Sequence, residues 1–212
     1  MILVSCEAQP TQPKQNQEEK ELIAEDQIMH FIIEDYKKQY KELQLKEIDD
    51  EGWHELTFYE KSNPTTDYEL TLSHVRIPNY TLEDELENNP IKGDINNDNI
   101  KDYLVKVLDE GGGGGGNITL ITYYLFTSVD GKYECSSIKS SGELSGCDKD
   151  YGFFIADQME NQQIIGEAQC YAENDGRCCP SLHYKTIVTL QDGELKHFSN
   201  VAVSPEKLKH LE

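Results

Sequence analysis

Apolar side chains recur every three to four residues in the N-terminal part of the chain. The stripe runs through residues 18–45 and is carried by Met29, Ile32, Ile33, Tyr36, Tyr40 and Leu43. Such a stripe marks one face of an α-helix, with the intervening charged residues on the other face. The pattern predicts an amphipathic helix that covers one face of a sheet. It holds for too few heptads to predict a coiled coil.

From Trp53 onward the apolar period changes to two, which is typical of half-buried β-strands. The first two strands of this kind predict a hairpin, with Leu56 and Phe58 on one strand and Leu70 and Leu72 on the other. Further strand-like segments lie at 103–108, 117–126, 133–138, 164–171, 182–190 and 195–198. Glycine, Asn and Asp separate most of them, and six glycines at 111–116 connect two strands. A phosphate-binding loop would need Gly-Lys-Ser/Thr after those glycines, and the chain has none there.

The order of these elements predicts an α+β fold, in which an N-terminal amphipathic helix packs on an antiparallel, hairpin-rich sheet. A length of 212 residues suits a single domain, which we place at 18–212. Residues 1–17 are predicted to be the remnant of a lipoprotein signal followed by a disordered tether, because residues 7–17 are rich in Gln, Pro and Lys.

The charge of the chain excludes one large class of function. Forty acidic residues against 19 basic ones give a formal charge of −21. A phosphate backbone would be repelled, so nucleic acid is excluded as a partner. Divalent cations and basic partners are favoured.

The N-terminus carries a motif for export. Leu3-Val4-Ser5-Cys6 resembles the end of a bacterial lipoprotein signal, in which the cysteine is lipidated. The alternative is a chance match of small residues. The motif predicts lipidation of Cys6, a location in the periplasm or at the cell surface, and contact with the membrane only through a lipid anchor.

Oxygen-bearing residues alternate along the segment 94–102, and this spacing predicts a Ca²⁺ site. The predicted ligands are Asp94, Asn96, Asp98, Ile100 through its carbonyl, and Asp102. Calcium takes six to eight oxygen ligands, and alternate residues of a tight loop direct their oxygens to one centre. An Asn/Asp-rich turn that binds nothing is the alternative, since both residues favour turns.

The sixth and twelfth positions, counted from Asp94, indicate which kind of calcium loop this is. Asn99 occupies the sharp sixth position, and Asn tolerates the left-handed conformation needed there. An EF-hand would need Glu at the twelfth position, where this chain has Val105. The loop instead resembles the calcium loops of FG-GAP-type repeats in secreted proteins, where the loop precedes a strand. It occurs once here, so the resemblance implies the loop and not a propeller.

Five cysteines in the C-terminal half predict disulfides in an exported protein. They are Cys135, Cys147, Cys170, Cys178 and Cys179. A hairpin around Asn174-Asp175-Gly176 would place Cys170 opposite Cys178 or Cys179, and Cys135 would then pair with Cys147. The sequence does not fix the connectivity.

Two alternatives involve His183, which follows the adjacent cysteines. A zinc site is disfavoured because adjacent cysteines cannot readily share one tetrahedral ion. A cysteine nucleophile with His183 as its base requires a free thiol.

The combined motifs resemble one family. A calcium-like loop entering a strand, a glycine-rich connector and the segment Asn-Asp-Gly-Arg-Cys-Cys-Pro-Ser at 174–181 are similar to a group of uncharacterised exported bacterial lipoproteins. The resemblance implies location and fold and brings no activity with it. The chain is therefore predicted to be a lipid-anchored envelope protein with a structural calcium site, acting in binding or support with an unknown envelope protein or ligand. The alternative is an extracytoplasmic hydrolase or thiol-dependent enzyme.

Overall fold

The structure is a computed structural model that describes seven segments of the chain. They are residues 15–50, 53–61, 69–78, 90–111, 119–148, 152–176 and 179–203. The predicted lipidation site Cys6, the turn at 62–64, Cys178 and most of the glycine run lie outside these segments. Of the predicted tether, residues 15–17 belong to the first helix.

Within these segments the chain forms helices and strands in a simple succession. The elements are α1 (Gln15–Gln39), β1 (Gln44–Asp50), β2 (Trp53–Lys61), β3 (Glu69–Pro78), β4 (Ile91–Gly93), β5 (Asp102–Asp109), β6 (Leu120–Val129), β7 (Lys132–Ser140), α2 (Ser141–Ser145), β8 (Phe153–Glu160), β9 (Gln163–Cys170), β10 (Leu182–Gln191) and β11 (Glu194–Ala202).

The strands form two antiparallel sheets instead of the one expected. The first sheet has the order β1-β2-β3-β5-β6-β7, with β4 paired to β5, and the second has the order β11-β10-β9-β8. The fold is therefore mostly β, which corrects the predicted α+β class. Period-two alternation identifies strands and hairpins, but it does not show where one sheet stops and the next begins.

Three layers result, because the first sheet is buried on both faces. Its outer face packs on α1 through a core that includes Ile32, Leu56 and Val105. Its inner face packs on the second sheet through a separate core that includes Leu104 and Leu125. Successive residues of β5 and β6 thus enter different cores, as alternation across a pleated strand requires.

Helix α1 covers the outer face with its apolar stripe, in which Ile28, Ile32 and Tyr36 are buried. It ends at Gln39, six residues before the predicted end, because the chain turns and pairs as β1 along the edge of the first sheet. Polar contacts fix its position. The Tyr124 hydroxyl donates a hydrogen bond to Asp35 (3.0 Å), and Lys37 forms an ion pair with Glu47 of β1 (2.9 Å).

Helix α2 is a single turn that connects the two sheets. Ser140 and Glu143 form a capping box at its start, which supplies partners for otherwise unpaired backbone N–H groups. Gly146 ends it in the left-handed conformation (φ 63°) and packs so closely on His197 that a Cβ would collide with the imidazole ring. In the part of the chain covered here, no helix is long and apolar enough to cross a membrane.

Candidate metal centre

The loop between β4 and β5 has the backbone that the sequence predicts. Asn97 and Asn99 both adopt the left-handed conformation, with φ of 62° and 65°. These two residues curl the chain tightly between Asp94 and Asp102. Ile100 exposes 45% of its surface, so its side chain points away from the loop and only its carbonyl is suited to hold an ion.

Carboxylates and amide oxygens of the loop accept hydrogen bonds from the loop's own backbone. Asp94 accepts from the backbone N–H groups of Asp98 (3.1 Å) and Asn99 (2.8 Å). Asp98 accepts from that of Ile100 (2.7 Å), and Asn96 accepts from that of Asp98 (3.0 Å). An ionised carboxylate has about four acceptor sites, so these bonds leave each carboxylate with further capacity.

Asp102 differs from the other loop carboxylates because it is fully buried. Its carboxylate accepts hydrogen bonds from the backbone N–H groups of Ile95 (2.8 Å) and Ser128 (3.3 Å), which joins the loop to β6. Burial raises the pKa of Asp102, the two N–H donors lower it, and the charges of Asp98 and Asp94 raise it further. A cation in the loop would relieve this repulsion between like charges.

The two stems of the loop are held against both sheets. Gly93 lies so close to Met159 of β8 that a Cβ would collide with the Met159 carbonyl oxygen, so β4 touches the second sheet directly. At the other stem, the Tyr133 hydroxyl of β7 donates to the Lys101 carbonyl (3.1 Å). A loop made rigid at this point therefore holds the edges of both sheets together.

The oxygen ligands that the loop offers are of the types that calcium prefers. The positions of the loop's side chains, however, do not by themselves form a metal site. Its residues offer carboxylate, amide and carbonyl oxygens, the ligand types that calcium takes. Among the residues covered by the structure, no three His, Cys, Asp or Glu side chains are placed to share one ion. Calcium binding at Asp94, Asn96, Asp98, Ile100 and Asp102 accordingly stays a prediction.

The cysteines pair differently from the expectation. Cys147 is bonded to Cys170, with a Cα–Cα distance of 5.6 Å, and Cys135 is a free thiol. The predicted Cys135–Cys147 bond and the predicted bond of Cys170 to Cys178 or Cys179 are therefore wrong. Cys179 is itself disulfide-bonded.

The β9–β10 connection explains why the hairpin argument failed. In the register of the two strands, Cys170 lies opposite Leu182, which leaves an eleven-residue connection rather than a tight turn. Asp175 organises that connection by accepting hydrogen bonds from the backbone N–H groups of Ala172 (2.7 Å) and Ser181 (2.8 Å). Cys147 reaches Cys170 instead, because α2 delivers it to the open end of the second sheet.

A thiol-dependent site finds no support in these positions. Cys135 lies in β7 of the first sheet, and burial raises the pKa of its thiol to about 11, with a further increase from the Asp35 charge and a partial decrease from its hydrogen bond to Ser137. A catalytic thiol needs the opposite shift. His183 lies on the second sheet, where its Nδ1 is 2.7 Å from the Glu167 carboxylate.

A charged cluster on β2 and β3 was not predicted from the sequence. Arg76 lies 3.4 Å from Glu55 and 3.5 Å from Glu110, and its guanidinium stacks over Trp53 at 4.4 Å. His74 lies between the same two carboxylates. The cross-strand pair Glu55 and Arg76 is the sequence signal that would have revealed it, once the hairpin register is known.

Comparison of the chain with known protein families, with curated proteins and with solved structures finds no match.

Proposed function

We propose that this protein is an exported, lipid-anchored component of the bacterial cell envelope whose two sheets are braced by calcium, and that it acts in binding or support without catalysis. The observation that carries the proposal is the buried Asp102 carboxylate, which links the loop to β6 and is crowded by the charges of Asp94 and Asp98. A calcium ion held there stabilises the fold, since the loop stems touch both sheets.

The proposed setting agrees with the composition and the disulfide. Calcium loops of extracellular modules bind with dissociation constants of about 10⁻⁴–10⁻³ M, so they are filled outside the cell. The Cys147–Cys170 bond suits an oxidising compartment. A formal charge of −21 opposes nucleic acid as a partner and favours a basic envelope protein or ligand. The Cys6 anchor rests on the N-terminal motif.

The test is the melting temperature of the protein in calcium and in chelator. Calcium at about ten times its dissociation constant stabilises the folded state by about 1.4 kcal/mol. For a domain of this size that raises Tm by about 3–6 °C. Asp98→Ala should lower Tm and abolish the calcium-dependent part of the shift, since it removes one carboxylate ligand.

Asp157→Ala is the matched control, because Asp157 is an exposed carboxylate in β8 outside the loop. This variant should keep the full calcium response. A wild-type protein with the same Tm in calcium and in EDTA would refute the structural calcium site.

A further inference from the structure

A cleft of about 460 Å³ opens at one end of the second sheet, remote from the calcium loop. Its walls come from the segment after α2, the end of β9 with the residues that follow it, the start of β10, and β11. The residues that shape it are Cys147, Asp148, Cys170, Tyr171, Leu182 and Tyr184. Its volume lies in the range of small-molecule sites.

The cleft exists because the first sheet covers only part of its partner. Leu182 and Tyr184 lie on the same face of β10 as Thr186 and Val188, since side chains alternate along a strand. Thr186 and Val188 are completely buried, whereas Leu182 exposes 39% of its surface. The inner face of the second sheet therefore continues beyond the sandwich as an uncovered surface that is part apolar and part aromatic.

A disulfide and hydrogen bonds join the walls of the cleft to one another. The Cys147–Cys170 disulfide joins one wall to the end of β9. Asn200, which also lines the cleft, donates a hydrogen bond to the Ser145 carbonyl (3.0 Å) and accepts one from the Thr186 hydroxyl (2.7 Å). Such links reduce the entropy lost on binding.

In the part of the chain that the structure describes, the charged residues that line the cleft are acidic. Asp148 and Glu173 are exposed lining residues, and neither forms an ion pair with a basic side chain in the segments that the structure describes. Two tyrosines, Tyr171 and Tyr184, line the same cleft. Aromatic faces and carboxylates together attract organic cations.

We propose that this cleft binds an organic cation, an ammonium or guanidinium group carried on an apolar stem. The stem lies against Leu182 and the disulfide, and the charged head lies between the tyrosines and the carboxylates of Asp148 and Glu173. The proposal does not rest on calcium binding, export or the lipid anchor, so it stands or fails separately from the proposed function.

The first experiment compares a cation with its neutral analogue on the full chain with the disulfide intact. Butylammonium should bind by isothermal titration calorimetry and shift the backbone amide signals of residues around the cleft, while 1-pentanol should bind at least about fivefold more weakly, because it lacks the charge. Equal binding of the two, or signal changes confined to other parts of the protein, would overturn the proposal.

A second probe identifies the source of the cation. N-acetyl-lysine methylamide presents the same ammonium group on a peptide unit. Tighter binding of this compound than of butylammonium indicates a lysine side chain of a protein partner, and weaker binding indicates a free amine. Either order supports the cation site, and binding of neither compound overturns it.

The variant Asp148→Asn with Glu173→Gln removes both charges from the cleft. Butylammonium should then bind about five- to tenfold more weakly. The matched control is Glu134→Gln with Asp157→Asn, which removes two exposed carboxylates that do not line the cleft. Equal loss in both double variants would show that only the overall negative charge attracts the ligand, and the cleft would lose its assignment.

Discussion

The two sheets are secured at two places by different means. At the 94–102 loop, buried and exposed carboxylates lie close enough for their charges to raise the pKa of Asp102. At the open end of the second sheet, the covalent Cys147–Cys170 bond holds the chain after α2 to the end of β9. The first brace consists of hydrogen bonds to a titratable carboxylate, whereas the second is a covalent bond.

The two places differ in how they contribute to stability: hydrogen bonds to charged carboxylates respond to solution conditions, whereas a covalent disulfide stays in place unless it is reduced. Backbone N–H groups donate hydrogen bonds to the carboxylates of the loop, which offsets the repulsion between their like charges. A bound cation would reduce that repulsion further. A disulfide acts mainly on the unfolded chain, by restricting its freedom. We therefore expect the disulfide end to dominate stability under all conditions and the loop end to respond to conditions.

The largest expected effect comes from opening the disulfide. The bond closes a loop with a sequence separation of 23 residues. Replacing both partners with Ser should lower the free energy of unfolding by about 3 kcal/mol, measured by urea denaturation.

The control for that experiment is Cys135→Ala, which changes a free, half-buried cysteine on the other sheet. It should cost about 1 kcal/mol or less, because only a small side chain is lost. If the two variants lose the same stability, the disulfide is not a brace and the contrast between the two ends fails.

A smaller effect is expected from Asp102→Asn. The amide would keep one acceptor oxygen and turn an N–H group toward the backbone N–H of either Ile95 or Ser128. The unsatisfied donor should lower the free energy of unfolding by about 1–2 kcal/mol, measured by urea denaturation in EDTA.

Asp157→Asn, at an exposed position, serves as the control and should be neutral. An increase in stability for Asp102→Asn would show that repulsion from Asp94 and Asp98 outweighs the two hydrogen bonds. The loop would then be held against its own charge by the rest of the fold.

The smallest effect concerns pH. Because the pKa of Asp102 is raised in the folded protein, the folded state binds more protons than the unfolded state between the two pKa values. Its contribution to stability is fully present below the unfolded pKa of about 3.9 and is lost as pH rises through the folded value.

The measurement is the difference in unfolding free energy between the wild type and Asp102→Asn in EDTA, from about pH 4 to 7. As pH rises, the unfolding free energy of the wild type should fall relative to that of Asp102→Asn. Added calcium should raise the wild-type value again at pH 7. A difference that is flat with pH would mean that Asp102 carries no titration linked to folding. The Cys147–Cys170 disulfide itself does not titrate.

Most helices and strands could be predicted from residues that are close together in the chain. Where a prediction was wrong, the structure shows the reason. The helix was expected over residues 18–45, and its observed early end reflects the pairing of Gln44–Asp50 as β1, an acidic edge strand with little apolar alternation. Strand β8 was missed because a bulge between Ala156 and Gln158 interrupts its alternation. Helix α2 carried a readable signal, the Ser140 and Glu143 capping box, that went unused.

The candidate site divides in the same way. The left-handed conformations of Asn97 and Asn99 followed from the residue types, since Asn tolerates that region of backbone space. The link from Asp102 to Ser128 depends on β5 and β6 lying side by side, which no local pattern shows. The partner of Cys147 depends on the length of the β9–β10 connection. That length follows from the register of β9 against β10, which only the fold shows.

By itself, the sequence determined most of the strands, the amphipathic helix, the acidic charge and the tight Asn-rich loop, because each depends on the composition or on residues close together in the chain. The tertiary structure alone decided that there are two sheets, that β5 and β6 are buried on both faces, and that Cys147 pairs with Cys170. Alternation tells which residues share a face of a strand. What covers that face depends on contacts between segments that are far apart in the chain, and those contacts leave no local pattern.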